Sequence, residues 1–194
     1  MIAYLKGDFV FKSPTMIHVD VNGVGYEVLI SLNTYSKIQH LDKGILHTCL
    51  LIREDAHQLI GFFELAEKEM FLHLISVSGI GSTTARVILS HMKPEELAKA
   101  IITADLKTLE GLKGIGKKTA ERMVLELKEK LVKHPVSSNI SPLKYNTLHD
   151  DALNALMALG IARNTAGQAV QKVTQNEPTL TSVEDVIKRA LKIL

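Results

Sequence analysis

Two short stretches of this 194-residue chain share a spacing suited to holding an anion. Leu74 to Ile88 and Leu109 to Met123 run in one register, 35 residues apart, with no gap. Both read apolar-x-x-apolar-x-Gly-Ile-Gly, then three residues, then alanine, and Arg86 and Arg122 are read as the matching arginines of the two copies. The glycines (Gly79 and Gly81, Gly114 and Gly116) permit a tight turn with positive φ and close approach of another backbone. Ile80 and Ile115 between them are expected to face inward and pin each turn to a core. Each turn opens a helix whose first N–H groups lack intrahelical partners and carry the positive end of the helix dipole, a phosphate site. Lys117 and Lys118 add charge at the second terminus, with Arg122 one turn on. Ser78, Ser82, Thr83 and Arg86 are the first-copy candidates. Ser82 and Thr83 bring hydroxyls without charge, so the first hairpin is expected to grip more weakly. Backbone donors meet phosphates and not base edges, which predicts sequence-independent, salt-sensitive binding of DNA. One Gly-Ile-Gly turn would be no more than a helix connection. Two in register, one followed by Lys-Lys, form an internal repeat of helix-hairpin-helix type.

The elements that must position these turns follow from periodicity. Residues 1–64 read as β: Ile2–Phe11, Met16–Val21, Gly25–Ile30, Ile45–Ile52 and Gln58–Phe63 are apolar or alternating runs, with Asn22-Gly23 a hairpin turn. Five strands with one longer connection, Leu32 to Gly44, suit a small closed barrel of OB type, because closure removes exposed edges. From Ala66 the period becomes helical through residue 133, ending in an amphipathic helix from Lys117 to Val132. Residues 134–147 hold two prolines, three serines and two asparagines, the composition of a flexible linker. Residues 148–194 read as three short helices, with Gly160 a helix stop and Ser182 with Asp185 resembling a capping box. Their size and Leu-Gly-Ile signature resemble ubiquitin-associated (UBA-like) domains. The expected fold is therefore multidomain α+β: barrel 1–64, all-α tandem hairpin domain 65–133, linker 134–147 and three-helix module 148–194.

Charge supports the middle segment as the binding part. Residues 1–64 carry net −2, residues 65–135 net +3 and the remainder net +1. A surplus of three attracts a phosphate backbone only modestly. Trp is absent and aromatics are 5%, which argues against a base-stacking platform. No apolar run is long enough for a membrane span, and the N-terminus is not of secretory type. The single Cys49 has no disulfide or metal-ligand partner, and a reducing cytoplasm is the expected location. No Gly-x-x-x-x-Gly-Lys-[Ser/Thr] occurs, and the histidines, His73 and His91 among them, are scattered singly. The chain is expected to lack a catalytic site, a metal and a cofactor. Two rivals remain on these residues: a glycosylase or nuclease fragment anchored by the hairpins, and a generic hairpin adaptor.

The order of parts resembles the RuvA family, the DNA-binding subunit of the bacterial Holliday-junction branch-migration complex. The resemblance spans Met1 to Gly7, Asn22 to Tyr26, Arg53 to Ala56, Gly61-Phe62, Gly114 to Arg122 and the Ala-Leu-Gly of the last module. It implies a homotetramer that holds a four-way junction open, with an octamer on DNA when two tetramers sandwich it. It implies RuvB, an ATP-driven ring motor that itself uses the ATP and Mg²⁺, docked on the C-terminal module, and RuvC, a resolvase acting on the same complex. It implies that Glu54 and Asp55 form an acidic pin that keeps strands apart at the crossover. For the motor-binding surface, Leu159 and Ile161 beside Gly160 are the candidates.

Overall fold

The computed structural model describes residues 1–54, 56–133, 148–177, 180 and 182–194. The linker assigned to 134–147, and Asp55, lie outside the described residues. The chain divides into two compact units, residues 1–139 and 140–194.

Five strands open the first unit: β1 (Tyr4–Ser13), β2 (Met16–Val21), β3 (Val24–Ile30), β4 (Lys43–Ile52) and β5 (His57–Phe62). They close a barrel in the order β1-β2-β3-β5-β4, antiparallel except for β3 with β5. The tight turn at Asn22-Gly23 has positive φ at both residues, 54° and 86°, the geometry whose twist suits a two-residue hairpin. Asp20 Oδ1 accepts from Gly23 N at 2.9 Å and closes it. Alternation along the strands sends Leu5, Phe9, Ile17, Val19, Val28, Ile30, Leu46 and Leu59 into one apolar interior.

The longer connection contains a helix that the sequence reading did not specify, α1 (Leu32–Ile38). Ser31 caps this helix, its Oγ accepting from Thr34 N at 3.0 Å. Seven residues with two buried positions, Thr34 and Ile38, are too short for periodicity to declare a helix.

The helical part is α2 (Leu65–Ile75), α3 (Ser82–His91), α4 (Pro94–Ile102), α5 (Leu106–Glu110) and α6 (Lys117–Lys133). Their core includes Met70, Phe71, Leu74, Ile88, Leu97, Ile101, Leu109, Met123 and Leu127. Two barrel residues, Ile60 and Phe62, belong to that same cluster. Phe62 and Phe71 set their rings 5.0 Å apart and tilted. Barrel and hairpins thus share packed side chains, and a force on one is felt by the other.

The second unit comprises α7 (Leu148–Ala158), α8 (Arg163–Asn176) and α9 (Val183–Ile193) around Ala152, Leu156, Ala166, Val170, Val186 and Ala190. α7 ends as its sequence suggests. Gly160 has φ 89°, and Ile161 N donates to Leu156 O at 3.1 Å, the six-to-one bond of a glycine-terminated helix. The expected capping box at Ser182 does not form: Ser182 is the N-cap residue, but its side chain caps nothing. Asp is one methylene shorter than the Glu that such a box prefers.

Candidate nucleic-acid interface

The two hairpins repeat in their hydrogen bonds as well as in their letters. Ile80 N donates to Val77 O at 3.1 Å, and Ile115 N to Leu112 O at 3.0 Å. Ala85 N donates to Gly81 O and Ala120 N to Gly116 O, both at 2.9 Å. Ile80 and Ile115 are buried, as are Ala85 and Ala120 where each hairpin's helices meet. Each turn is therefore pinned from beneath, and its outer edge is backbone.

The glycines divide their work differently from expectation. Only the first of each pair has positive φ: Gly79 at 95° and Gly114 at 88°. Gly81 lies in the extended region with φ −86°, which any residue can adopt. A Cβ placed on Gly81 or Gly116 would meet no protein atom within 4 Å. The fold itself does not demand glycine there.

Among the described residues, the backbone N–H groups of Gly81, Ser82 and Thr83 have no acceptor, nor have those of Gly116, Lys117 and Lys118. These are the orphan donors of α3 and α6, pointing where the dipole is positive. Ser78, Gly79, Gly81, Thr83, Gly114, Gly116, Lys117, Lys118 and Arg122 are exposed.

The two termini are side by side. Arg122 Nη1, on α6, donates to Ser78 O of the first turn at 3.1 Å. A Cβ on Gly114 of the second turn would stand 3.4 Å from Thr84 Cγ2 at the start of α3. Each turn thus touches the helix opened by the other. The two helix N-termini with their orphan donors are thus neighbours.

Three candidates sit otherwise than expected. Arg86 is not the counterpart of Arg122: it follows Ala85 directly, whereas Arg122 follows Ala120 by two positions. One residue rotates a side chain by about 100° on a helix. Arg86 is accordingly half-buried, its Nη1 buried without a partner among the described residues, and burial lowers its pKa. Arg122 is a brace as well as a surface cation, with Nε 3.9 Å from Glu126 Oε1. Ser82 is buried, and its hydroxyl does not face outward; it accepts from Arg53 Nη2 at 3.3 Å. The charge-free first terminus therefore has a guanidinium beside it, contributed by the barrel. The sequence places these residues 29 positions apart and offers no local signal for the contact.

Glu54 is exposed on the turn between β4 and β5, which Arg53 N closes by donating to Ala56 O at 2.9 Å. Leu159 is 64% exposed, while Ile161 is partly buried against the module's core. Of the two, Leu159 is the side chain with surface to offer. Among the described residues, no three of His, Cys, Asp and Glu converge on a point where a metal ion would fit, and no helix is long and apolar enough to cross a membrane. Burial raises the pKa of the Cys49 thiol, against a smaller opposing effect of Lys68.

A buried carboxylate ties the barrel to the hairpins. Glu67, on α2, accepts from Ser31 Oγ through Oε1 and from Thr34 Oγ1 through Oε2, the latter at 2.7 Å. Thr34 Oγ1 in turn accepts from Phe63 N at 3.1 Å. Burial pushes the Glu67 pKa up, partly offset by the two hydroxyls and by Lys37. Lys37 itself pairs with Glu64 at 2.5 Å.

Comparison with known proteins accounts for nearly the whole chain. The family model described as "RuvA N terminal domain" matches residues 1–61, "SAM-like Helix-hairpin-helix tandem" residues 71–129, and "RuvA, C-terminal domain" residues 147–194. The chain belongs to the RuvA family. Similar relatives include proteins of Flavobacterium psychrophilum, 47% identical, and Cytophaga hutchinsonii, 44% identical, with all of each chain covered on both sides. A protein of Neisseria meningitidis is 45% identical over all of this chain and 99% of its own. All three are named Holliday junction branch migration complex subunit RuvA. The RuvA N-terminal match coincides with the barrel, and the tandem match covers both hairpins. Arg53 and Glu67 are the site-building residues that the spacing of this RuvA-family sequence did not reveal.

Proposed function

We propose that the protein binds four-way DNA junctions through the phosphate backbone, without reading sequence, as the DNA-binding subunit of a branch-migration complex. The observation that carries this reading is the pair of hairpins braced together, with free N–H groups beside glycines that leave the backbone open to an incoming group. The names of the full-length relatives supply the junction as the DNA concerned.

In this reading Ser78 to Thr83 and Gly114 to Lys118 hold the arms, with Arg122 setting the spacing. Four copies form a homotetramer, and a second tetramer closes an octamer over the DNA. Glu54 and Asp55 gather near the crossover as an acidic pin. Their carboxylates repel phosphates and steer each strand into its own arm. Residues 148–194 recruit the ATP-driven motor RuvB, with Leu159 and Ile161 in the contact, and RuvC resolves the same complex. ATP and Mg²⁺ belong to the motor. The chain itself performs no catalysis and works in the cytoplasm.

The test is a binding comparison of the full chain on a four-way junction and on linear duplex of the same arm sequences. A marked preference for the junction, unchanged when the arm sequences are scrambled, is the expected result. Equal affinity for the two forms would leave only a generic hairpin adaptor. Native mass spectrometry with and without the junction reads the tetramer and the octamer directly.

A further inference from the structure

The two hairpins are unequal in their own letters: where α6 begins with Lys117, α3 begins with Ser82. The tertiary structure alters that balance. Arg53 follows β4 and reaches across to Ser82, its Nη2 donating to the serine Oγ at 3.3 Å. The guanidinium therefore sits on the residue that stands in the lysine's place.

That position is electrostatically costly in the protein alone. A helix N-terminus is the positive end of the dipole, where a carboxylate is stabilised and a cation is not. Among the described residues no carboxylate pairs with Arg53, and its bond to Ser82 is to a neutral hydroxyl. Orphan N–H groups and a guanidinium lie together here, and among the described residues no carboxylate bonds to either. They border an open, mainly aliphatic groove of about 300 Å³, of which Arg53, Gly81 and Ser82 are the polar edge. The groove is open to solvent and has room for a phosphate group at that polar edge. Gly81 leaves the approach to the backbone open, since a Cβ there would touch nothing.

We propose that Arg53 is a phosphodiester-binding residue: the barrel lends the first hairpin the cation that its own sequence lacks. The inference rests on the backbone-phosphate reading of the hairpins. A guanidinium suits the task because it can bridge two phosphate oxygens while its stem lies along Ile52 and Ile80. The first hairpin then grips with one cation against Lys117, Lys118 and Arg122 at the second, and the expected inequality narrows.

The experiment compares Arg53→Gln, Arg53→Lys and the double variant Lys117→Ala/Lys118→Ala in the full chain. Binding to linear duplex is measured by fluorescence anisotropy between about 50 and about 200 mM salt. Linear duplex is chosen because it has no crossover for the neighbouring acids to act on. Arg53→Gln is expected to lower the slope of log affinity against log salt by about 0.9 per bound protomer. Each bound protomer then loses about 3.5-fold less affinity across that range than in the parent. Arg53→Lys keeps the charge and is expected to keep the slope. An unchanged slope in Arg53→Gln, with a reduced one in the lysine variant, overturns the role of Arg53 and leaves the hairpins standing. Unchanged slopes in both overturn the backbone-phosphate reading and this inference with it. A loss seen on four-way junctions but absent on duplex also overturns it, placing Arg53 at the crossover instead.

Discussion

Replacing Glu67 tests how the barrel is held to the hairpins. Its two carboxylate oxygens are the terminal acceptors of two short chains. In one, Thr34 N donates to Ser31 Oγ, which donates to Oε1. In the other, Phe63 N donates to Thr34 Oγ1, which donates to Oε2. Glu67→Ala removes both acceptors and leaves two hydroxyls unsatisfied in a site only 1% exposed at Glu67. At about 1–3 kcal/mol for each orphaned group, the loss comes to about 2–6 kcal/mol. Glu67→Gln keeps the shape, but its amide nitrogen meets a hydroxyl that already donates. A protonated Glu67 makes the same demand, so Glu67→Gln reports the neutral form of the site, with one hydroxyl proton turned away from the side chain in both.

The pH dependence has a definite sign. Burial raises the folded-state pKa of Glu67 above its unfolded value of about 4.3. The folded state therefore holds a proton that the unfolded state has released. The associated stability is fully present below the unfolded pKa and is lost as pH rises toward the folded pKa, at up to about 1.4 kcal/mol per pH unit. Urea unfolding followed by circular dichroism, at pH 5 and at pH 8, reads both effects. The parent's advantage over Glu67→Gln is expected to be larger at pH 5. An advantage independent of pH would refute the burial argument, and a loss under about 1 kcal/mol in Glu67→Ala would refute the network.

Four further outcomes are expected. Gly79→Ala forces a side chain into positive φ and lowers stability by about 1–2 kcal/mol in urea unfolding. Gly81→Ala leaves the unfolding midpoint close to the parent's but weakens duplex binding by anisotropy, because its methyl group occupies the phosphate's approach. Glu54→Lys with Asp55→Lys leaves the melting temperature unchanged but reduces discrimination between four-way and linear DNA in gel shifts. Leu159→Asp, at a side chain 64% exposed, leaves junction binding intact and abolishes co-purification with the motor.

The sequence alone determined the repeat and the class of ligand. The 35-residue register, the Gly-Ile-Gly turns and Lys117-Lys118 are local, and their chemistry follows from backbone geometry within a few residues. The five strands were legible for the same reason, since period-2 alternation needs no knowledge of the partner strand. What the tertiary structure decided depends on residues far apart in the chain. It buried Ser82 against Arg53, tied Arg122 to the first turn, and half-buried Arg86. It built the Glu67 site from Ser31 and Thr34, 36 and 33 positions away. It also showed that only the first glycine of each pair needs its positive φ. A spacing pattern carries information about neighbours along a helix or strand. The direction of a long side chain and the partner of a buried charge are settled by packing between elements, and only the folded chain contains that.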